Sequence, residues 1–314
     1  MLTSRLDHLA SLLDAKQIRI ERNVPLSAHT TFRIGGAAAL GVFPKTETEL
    51  QSALLLLKKS DLPYTVIGAG SNLLAPDAGY DGAVLFTGGM KRIVSEETAD
   101  GRVLVTADAG VSLGAFAKYA QERGLTGAEF LYGIPGSIGG AVVMNAGAYG
   151  GEIAQILRSS RYLSADDPNA LRERAHAEHR YAYRHSVYLE HPEEIVSSAS
   201  FLLTRDDPEA ILSRMRTLLG QRKEKQPLEY PSAGSFFKRP VGAFAAKLID
   251  DCGLKGYTVG GAQVSKKHAG FVVNLGNATE ADVRKLARDV RAIVFERTGY
   301  LLVSEVRVMT GEPL

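Results

Sequence analysis

The chain has 314 residues, 45% of them hydrophobic and 23% charged, which is enough for two domains with real cores and too balanced for a chain that is disordered as a whole. Lys and Arg number 37 against 35 Asp and Glu, a formal net charge of +2 without a long basic run, which argues against nucleic acid as the main partner. The single cysteine, Cys252, excludes an internal disulfide and a Cys-rich metal site, and the seven histidines show no metal-ligand spacing.

Residues Met1 to Ala15 mix Arg5, Asp7 and His8 with leucines and lack the apolar core of a signal peptide. Apolar runs are short throughout, so no segment reads as crossing a bilayer, and a cytoplasmic protein is expected. A helix is predicted over Ser4–Ala15, followed by an extended stretch and a loop from Asn23 to Gly36. Thr46 and Glu49 have capping-box spacing ahead of a leucine-rich helix ending at Lys59. Tyr64–Ile67, Ala83–Thr87 and Val103–Ala107 read as strands. Ser112 is placed to cap a helix carrying Leu113, Phe116, Ala117 and Ala120 on one face, and Gly124 to stop it.

A glycine-rich loop is predicted from Gly133 to Gly151, then a polar, Arg- and His-rich stretch from Arg161 to Tyr188, then a strand over Ile195–Leu203. Asp207 and Pro208 open a helix with Ile211, Leu212, Met215 and Leu218 as its apolar stripe, and the domain boundary is placed there. The expected domains are 1–206, split near residue 80, and 207–314. The second should hold a loop over Gln226–Pro240, an apolar helix over Val241–Asp251 and a strand over Gly270–Asn274. A long helix carrying Val283, Leu286, Val290 and Ile293 follows, with a last strand over Leu301–Met309.

The segment Gly68-Ala-Gly-Ser-Asn-Leu follows a predicted strand, as a dinucleotide-binding turn would. Yet Leu73 stands where the Rossmann fingerprint needs its third glycine, and no acidic residue stands out about twenty positions on. The loop from Gly133 to Gly151 lacks the Lys-Ser/Thr ending of a Walker loop. Two such loops in one domain are best explained by one extended ligand with a pyrophosphate, held by neutral backbone donors.

A set of segments in one order covers nearly the whole chain. They are Thr31-Phe-Arg-Ile-Gly-Gly, Gly68-Ala-Gly-Ser-Asn-Leu-Leu, Gly133-Ile-Pro-Gly-Ser-Ile-Gly-Gly, Asn145-Ala-Gly-Ala-Tyr-Gly, Tyr183-Arg-His-Ser, Gly234-Ser-Phe-Phe-Lys-Arg-Pro, Leu254-Lys-Gly-Tyr-Thr-Val-Gly-Gly and Glu305-Val-Arg. In this set the chain resembles the UDP-N-acetylenolpyruvoylglucosamine reductase family. The short connection from Arg184 to Ser235 is similar to the second subclass, which lacks an inserted loop bearing a tyrosine; Tyr230, just before Pro231, is no convincing substitute.

The resemblance implies an α+β chain: a vanillyl-alcohol oxidase-like, non-Rossmann FAD-binding domain followed by a smaller α+β substrate-binding domain. It implies non-covalent FAD, NADPH as co-substrate and reduction of the enolpyruvyl group of a UDP-amino sugar in peptidoglycan synthesis. Hydride goes to the methylene carbon and a proton to its neighbour. Carried over by motif, Ser235 is the proton donor, and Arg184 and Glu305 stabilise the enolic intermediate. Gly68, Ala69, Gly70, Ser71, Asn72, Leu73, Pro135, Gly136, Ser137, Gly139, Gly140, Asn145 and Gly147 are the expected cofactor-binding residues. Lys238, Lys247 and His268 are weaker candidates for the substrate, with Arg222, Arg239 and Arg307 as similar cases. No membrane insertion is expected, and a monomer or weak dimer is.

Without the resemblance, Ser235 reads as a turn serine, Arg184 as a surface arginine and Glu305 as an outward-facing strand residue. Two other functions stay open at the level of sequence. Another oxidoreductase on the same flavin fold would keep the glycine loops but not need Arg184, Ser235 and Glu305 together. A non-catalytic flavin-binding module would hold the chromophore without turnover.

Overall fold

The structure is a computed structural model that describes residues 2–311 and 314. The chain forms two compact units. The first comprises residues 1–22, 40–69 and 82–221, and the second 23–39, 70–81 and 222–314.

In the first unit, helices Leu2–Ala15 and Glu47–Ser60 pack on one another, and strand Tyr64–Ile67 pairs in parallel with Ala83–Phe86. The Thr46 hydroxyl caps the second helix by accepting from the Glu49 N–H. Glu49 reaches back to the Lys45 N–H, one residue beyond the partner that a regular capping box would use.

The larger part of this unit is an antiparallel sheet. Its strands run in the order Leu171–Ala175, Leu157–Ser164, Glu194–Arg205, Val103–Asp108 and Ile93–Glu97. Helices Leu113–Glu122 and Ile138–Met144 bury Phe116, Ala117, Ile138 and Val142 in a core shared with Val105 and Phe201 of the sheet. The segment expected to be a glycine-rich loop from Gly133 to Gly151 thus contains a helix, followed by a short hairpin, Gly147–Ala148 with Gly151–Glu152. Glycine is kept inside that helix because a Cβ at Gly139 would lie 2.9 Å from the Ala109 Cβ; close packing decides there against helix propensity. Two of the strands, Leu157–Ser164 and Leu171–Ala175, run through or beside the polar stretch that the sequence left without structure.

The second unit is built on helix Glu280–Thr298, which buries Val283, Leu286, Val290 and Val294 against a four-stranded antiparallel sheet. That sheet is ordered Ser232–Ser235, Phe271–Asn274, Ala262–Val264 and Thr258–Val259. Thr279 and Asp282 form a reciprocal capping box at the helix start. The Asp77 carboxylate also accepts from the Glu280 and Ala281 N–H groups. Residues 23–39 and 70–81 belong here because Phe32, Ile34 and Leu74 fill the same core as Phe236, Leu286 and Leu302. The expected boundary at 206/207 is therefore not where these units part: helix Pro208–Lys225 continues to residue 221 in the first unit and on into the second, and the second draws on two earlier segments.

Three further expectations change. Gln226–Pro240 contains the strand Ser232–Ser235 rather than being a loop throughout. The helix expected from Val241 begins only at Ala245; Gly242 lies at φ 76°, outside helical conformation, and Val241 and Phe244 are exposed. Of Leu301–Met309, only Arg307–Val308 forms a strand, in parallel with Leu73–Leu74, and Ser304 makes an isolated bridge to Phe237.

Candidate active site

In the first unit the two glycine segments meet. Strand Tyr64–Ile67 ends on Gly68, and a Cβ built there would lie 2.4 Å from the Ser137 Oγ. Ser137 precedes helix Ile138–Met144, but its hydroxyl makes no capping bond. That Oγ is buried and has no hydrogen-bond partner within the protein. Buried hydroxyls are nearly always partnered, so an unpartnered one beside a position without a side chain fits a ligand oxygen.

The backbone around this point is fixed. The Ile138 N–H donates to Val111 O, Gly139 N–H to Ala109 O, and Leu113 N–H to Gly136 O. Pro135 and Gly140 are exposed, whereas Gly139 is buried against Ala109. Asn145 ends the helix in the left-handed conformation, φ 45°, and is fully buried. Its side-chain amide donates to Ala182 O at 3.1 Å, and its Oδ1 accepts from the Ala154 N–H at 3.0 Å. This expected cofactor residue therefore uses its side chain to join the glycine-rich segment to the Ala182–His185 turn.

That turn carries Arg184. Ala182 and His185 bond to each other across it, and Arg184 sits at φ 54°. A non-glycine residue in the left-handed region costs about 1–2 kcal/mol, and such conformations concentrate at functional sites. The Arg184 Nη2 donates to Gly147 O at 3.1 Å, and its Nη1 lies 3.5 Å from Asn145 O. Its guanidinium lies 5.2 Å from the Tyr183 ring centroid. Arg184 is thus half-buried and held by the second glycine segment, not a loose surface arginine.

In the second unit, Gly70 lies at φ 61° with its missing Cβ against His29 O, and Gly70 O accepts from the Thr31 N–H. Thr31 Oγ1 donates to Ser232 O at 2.7 Å, so the Thr31-Phe-Arg-Ile motif braces the strand that carries Ser235. Asn274 donates to Phe32 O on the same side. Ser235 is exposed at the end of its strand, directly across from Phe271.

The segment containing Glu305 runs along the continuation of that strand. Glu305 N–H donates to Phe236 O, and Lys238 N–H donates to Val303 O, both at 2.8 Å. Asn72 holds the same segment: its amide donates to Glu305 O at 3.2 Å, and its own carbonyl accepts from the Arg307 N–H. Ser71, Asn72 and Leu73 are half-buried, and Leu73 pairs with Arg307. Ser235 and Glu305 therefore lie on neighbouring segments of one unit, and the end of the first glycine motif fixes the Glu305 backbone.

Of the weaker candidates, His268 is the best placed. Its ring meets Phe271, the cross-strand partner of Ser235, edge-on at 5.1 Å, and its Nδ1 accepts from the Gly270 N–H. Burial lowers its pKa, so it is neutral near neutral pH. Lys238 is half-buried beside Phe237. Lys247 is exposed on a helix and paired with Asp251 four residues on, the arrangement of a solvated helix face. Arg239 lies 4.7 Å over the Phe244 ring, Arg222 is buried, and Arg307 is exposed. Cys252 is buried in the core. Among the described residues there is no group of three or more His, Cys, Asp or Glu that could hold a metal ion, and no helix is long and apolar enough to cross a membrane.

Sequence reasoning missed Asn72 as a brace for Glu305 and the Asn145 links to the Arg184 turn. Both are side chain to backbone bonds across long separations, for which a sequence carries no local signal.

Comparison with known proteins identifies two domains and a family. Residues 38–167 match an FAD binding domain, and residues 226–309 match the C-terminal domain of UDP-N-acetylenolpyruvoylglucosamine reductase. The chain is 47% identical to the UDP-N-acetylenolpyruvoylglucosamine reductase of Lachnoclostridium phytofermentans over 93% of both chains. It is 48% identical to that of Agathobacter rectalis, over 94% of this chain and 95% of the other. Among solved structures, the UDP-N-acetylenolpyruvylglucosamine reductase of Thermus caldophilus superposes with a TM-score of 0.76 at 36% identity, covering 93% of this chain and 99% of that one.

Proposed function

Because the chain belongs to the UDP-N-acetylenolpyruvoylglucosamine reductase family, FAD-containing oxidoreductases of peptidoglycan synthesis, we propose that it converts UDP-N-acetyl-3-O-(1-carboxyvinyl)-glucosamine to UDP-N-acetylmuramate at the expense of NADPH. Bound FAD supplies the two-electron relay between NADPH and the enol ether. Ser137 and the side-chain-free position at Gly68 form part of its cradle; the observation that carries this is the buried Ser137 hydroxyl, which has no hydrogen-bond partner within the protein and faces Gly68.

Reduction adds hydride to the methylene carbon and leaves negative charge on the adjacent carbon, delocalised into the carboxylate. Arg184 holds that carboxylate with its planar fork, which suits bidentate recognition. Glu305 acts at the developing enol. Ser235 delivers the proton that completes the lactyl ether. A serine hydroxyl is a weak acid, so this works only against a strongly basic carbon and in a fixed position. The braced strand around Ser235 supports such a fixed position.

The purified protein should be yellow with bound flavin, and NADPH oxidation should depend on the enolpyruvyl UDP-sugar. A colourless protein that leaves NADPH untouched would sink the reading. A flavoprotein that turns over a small alcohol but not the UDP-sugar would favour a different enzyme on this fold.

A further inference from the structure

The excursion that carries Arg184 leaves the sheet after strand Leu171–Ala175 and returns to the core at Tyr188. A single hydroxyl holds both of its ends. Ser160 Oγ, on strand Leu157–Ser164, lies 2.7 Å from His179 Nε2 and 2.7 Å from the Tyr188 hydroxyl. All three residues are buried.

The donor directions follow from the neighbours. His179 Nδ1 faces two carbonyls, Ala175 O at 2.9 Å and His176 O at 3.2 Å, so it carries the proton. In the neutral ring Nε2 must then accept, which turns the Ser160 O–H toward it. The Ser160 oxygen is left to accept from Tyr188. Burial favours this neutral state by lowering the His179 pKa. The Tyr181 ring stacks on His179 at 5.0 Å, and the Arg174 guanidinium lies 4.5 Å from the Tyr188 ring centroid while pairing with Glu194 at 2.8 Å.

Between the two anchors, Arg180 and Arg184 both adopt positive φ, 49° and 54°. Non-glycine residues persist in that region only where the surroundings hold them. Ser186 adds a bond to Val143 O at 2.6 Å, and Asn145 holds Ala182, but neither spans the excursion as Ser160 does.

We propose that Ser160 is a positioning residue for Arg184: through His179 and Tyr188 it clamps the excursion whose turn presents the guanidinium. The inference rests on the reading of Arg184 as the group that holds the reacting carboxylate. It gives a purpose to three buried polar side chains that touch neither glycine segment in the bonds described above.

The test uses the FAD-loaded enzyme and measures its two half-reactions, flavin reduction by NADPH and flavin reoxidation by the UDP-sugar. Ser160→Ala should slow reoxidation by about 10- to 100-fold, the scale of a small misplacement of a positioned group, while flavin reduction is unchanged. Tyr188→Phe keeps the ring and removes only the hydroxyl, so it should reproduce a smaller loss even if Ser160→Ala folds poorly. In an Arg184→Ala background neither change should slow reoxidation further, because both act through the missing side chain. If each costs the same factor with and without Arg184, or neither slows reoxidation, the clamp is structural and the proposal fails while the role of Arg184 stands. If Arg184→Ala itself reoxidises at the parental rate, the reading of Arg184 fails and the proposal goes with it.

Discussion

The proposed FAD cradle rests on Ser137 and Gly68. The serine sits where a helix would ordinarily use its hydroxyl as a cap, yet spends it on nothing within the protein. A methyl group on the glycine opposite would meet the Ser137 hydroxyl at 2.4 Å and turn it from its present position. Ser137→Ala should therefore leave the thermal stability of the apoprotein unchanged while weakening FAD binding by about 5- to 10-fold, the worth of about one hydrogen bond. Fluorescence titration of the apoprotein with FAD measures this; a lower apoprotein melting temperature with unaltered FAD affinity would assign the hydroxyl to the fold instead. Gly68→Ala should weaken FAD binding by at least as much, because a Cβ 2.4 Å from Ser137 Oγ turns that hydroxyl out of its present position. Ser235, Arg184 and Glu305 could be named from the sequence only by their motifs. Their local chemistry is that of a turn serine, a surface arginine and a strand glutamate. What the fold adds is the bracing: Thr31 and Asn274 behind the Ser235 strand, Asn72 behind Glu305, and Gly147 and Asn145 behind Arg184.

At the scale of elements, helix Glu280–Thr298 organises the second unit, and its stripe of Val283, Leu286, Val290 and Val294 is fully buried. Leu286→Ala should cost about 2–5 kcal/mol, the range for deleting a buried leucine side chain, read as a lower midpoint in urea. Thr46→Ala should cost about 1 kcal/mol by removing the cap of helix Glu47–Ser60. Both helices were legible because apolar residues recur at helical spacing behind a capping residue. Elements without such a pattern were not. Helix Ile138–Met144 has only seven residues and carries two glycines in its first turn, of which Gly139 answers to packing against Ala109 rather than to helix propensity. Strand Leu157–Ser164 buries Ser159, Ser160 and Ser164 alongside its apolar residues, so polarity and burial do not alternate together. The helix expected from Val241 failed for the opposite reason: an apolar run there is exposed, and Gly242 at positive φ delays the helix to Ala245.

At the scale of the whole molecule, the sequence indicated two bodies but not the segments that make them up. Residues 23–39 and 70–81 join the second unit through Phe32, Ile34 and Leu74, and no local pattern announces that a core draws on segments so far apart. The molecule also carries a predictable dependence on pH. Burial holds His179 and His268 below the ordinary value of 6.5, so the unfolded chain binds protons that the folded chain refuses. Stability from these two groups is complete above about pH 6.5 and falls as pH drops through it, levelling once the folded histidines protonate. The urea midpoint of the apoprotein should accordingly decrease from about pH 7.5 to about pH 5.5, and His268→Gln, whose amide cannot titrate, should flatten part of that fall; an equal fall in the variant would show that other groups are responsible. The central claim, that this flavoenzyme protonates its substrate from Ser235, is tested most directly by following the two half-reactions of Ser235→Ala in a stopped-flow instrument. Flavin reduction by NADPH should proceed at the parental rate while reoxidation by the enolpyruvyl UDP-sugar slows by about 10²–10⁴-fold, the usual contribution of a general acid. Equal slowing of both half-reactions, or of neither, would contradict the account.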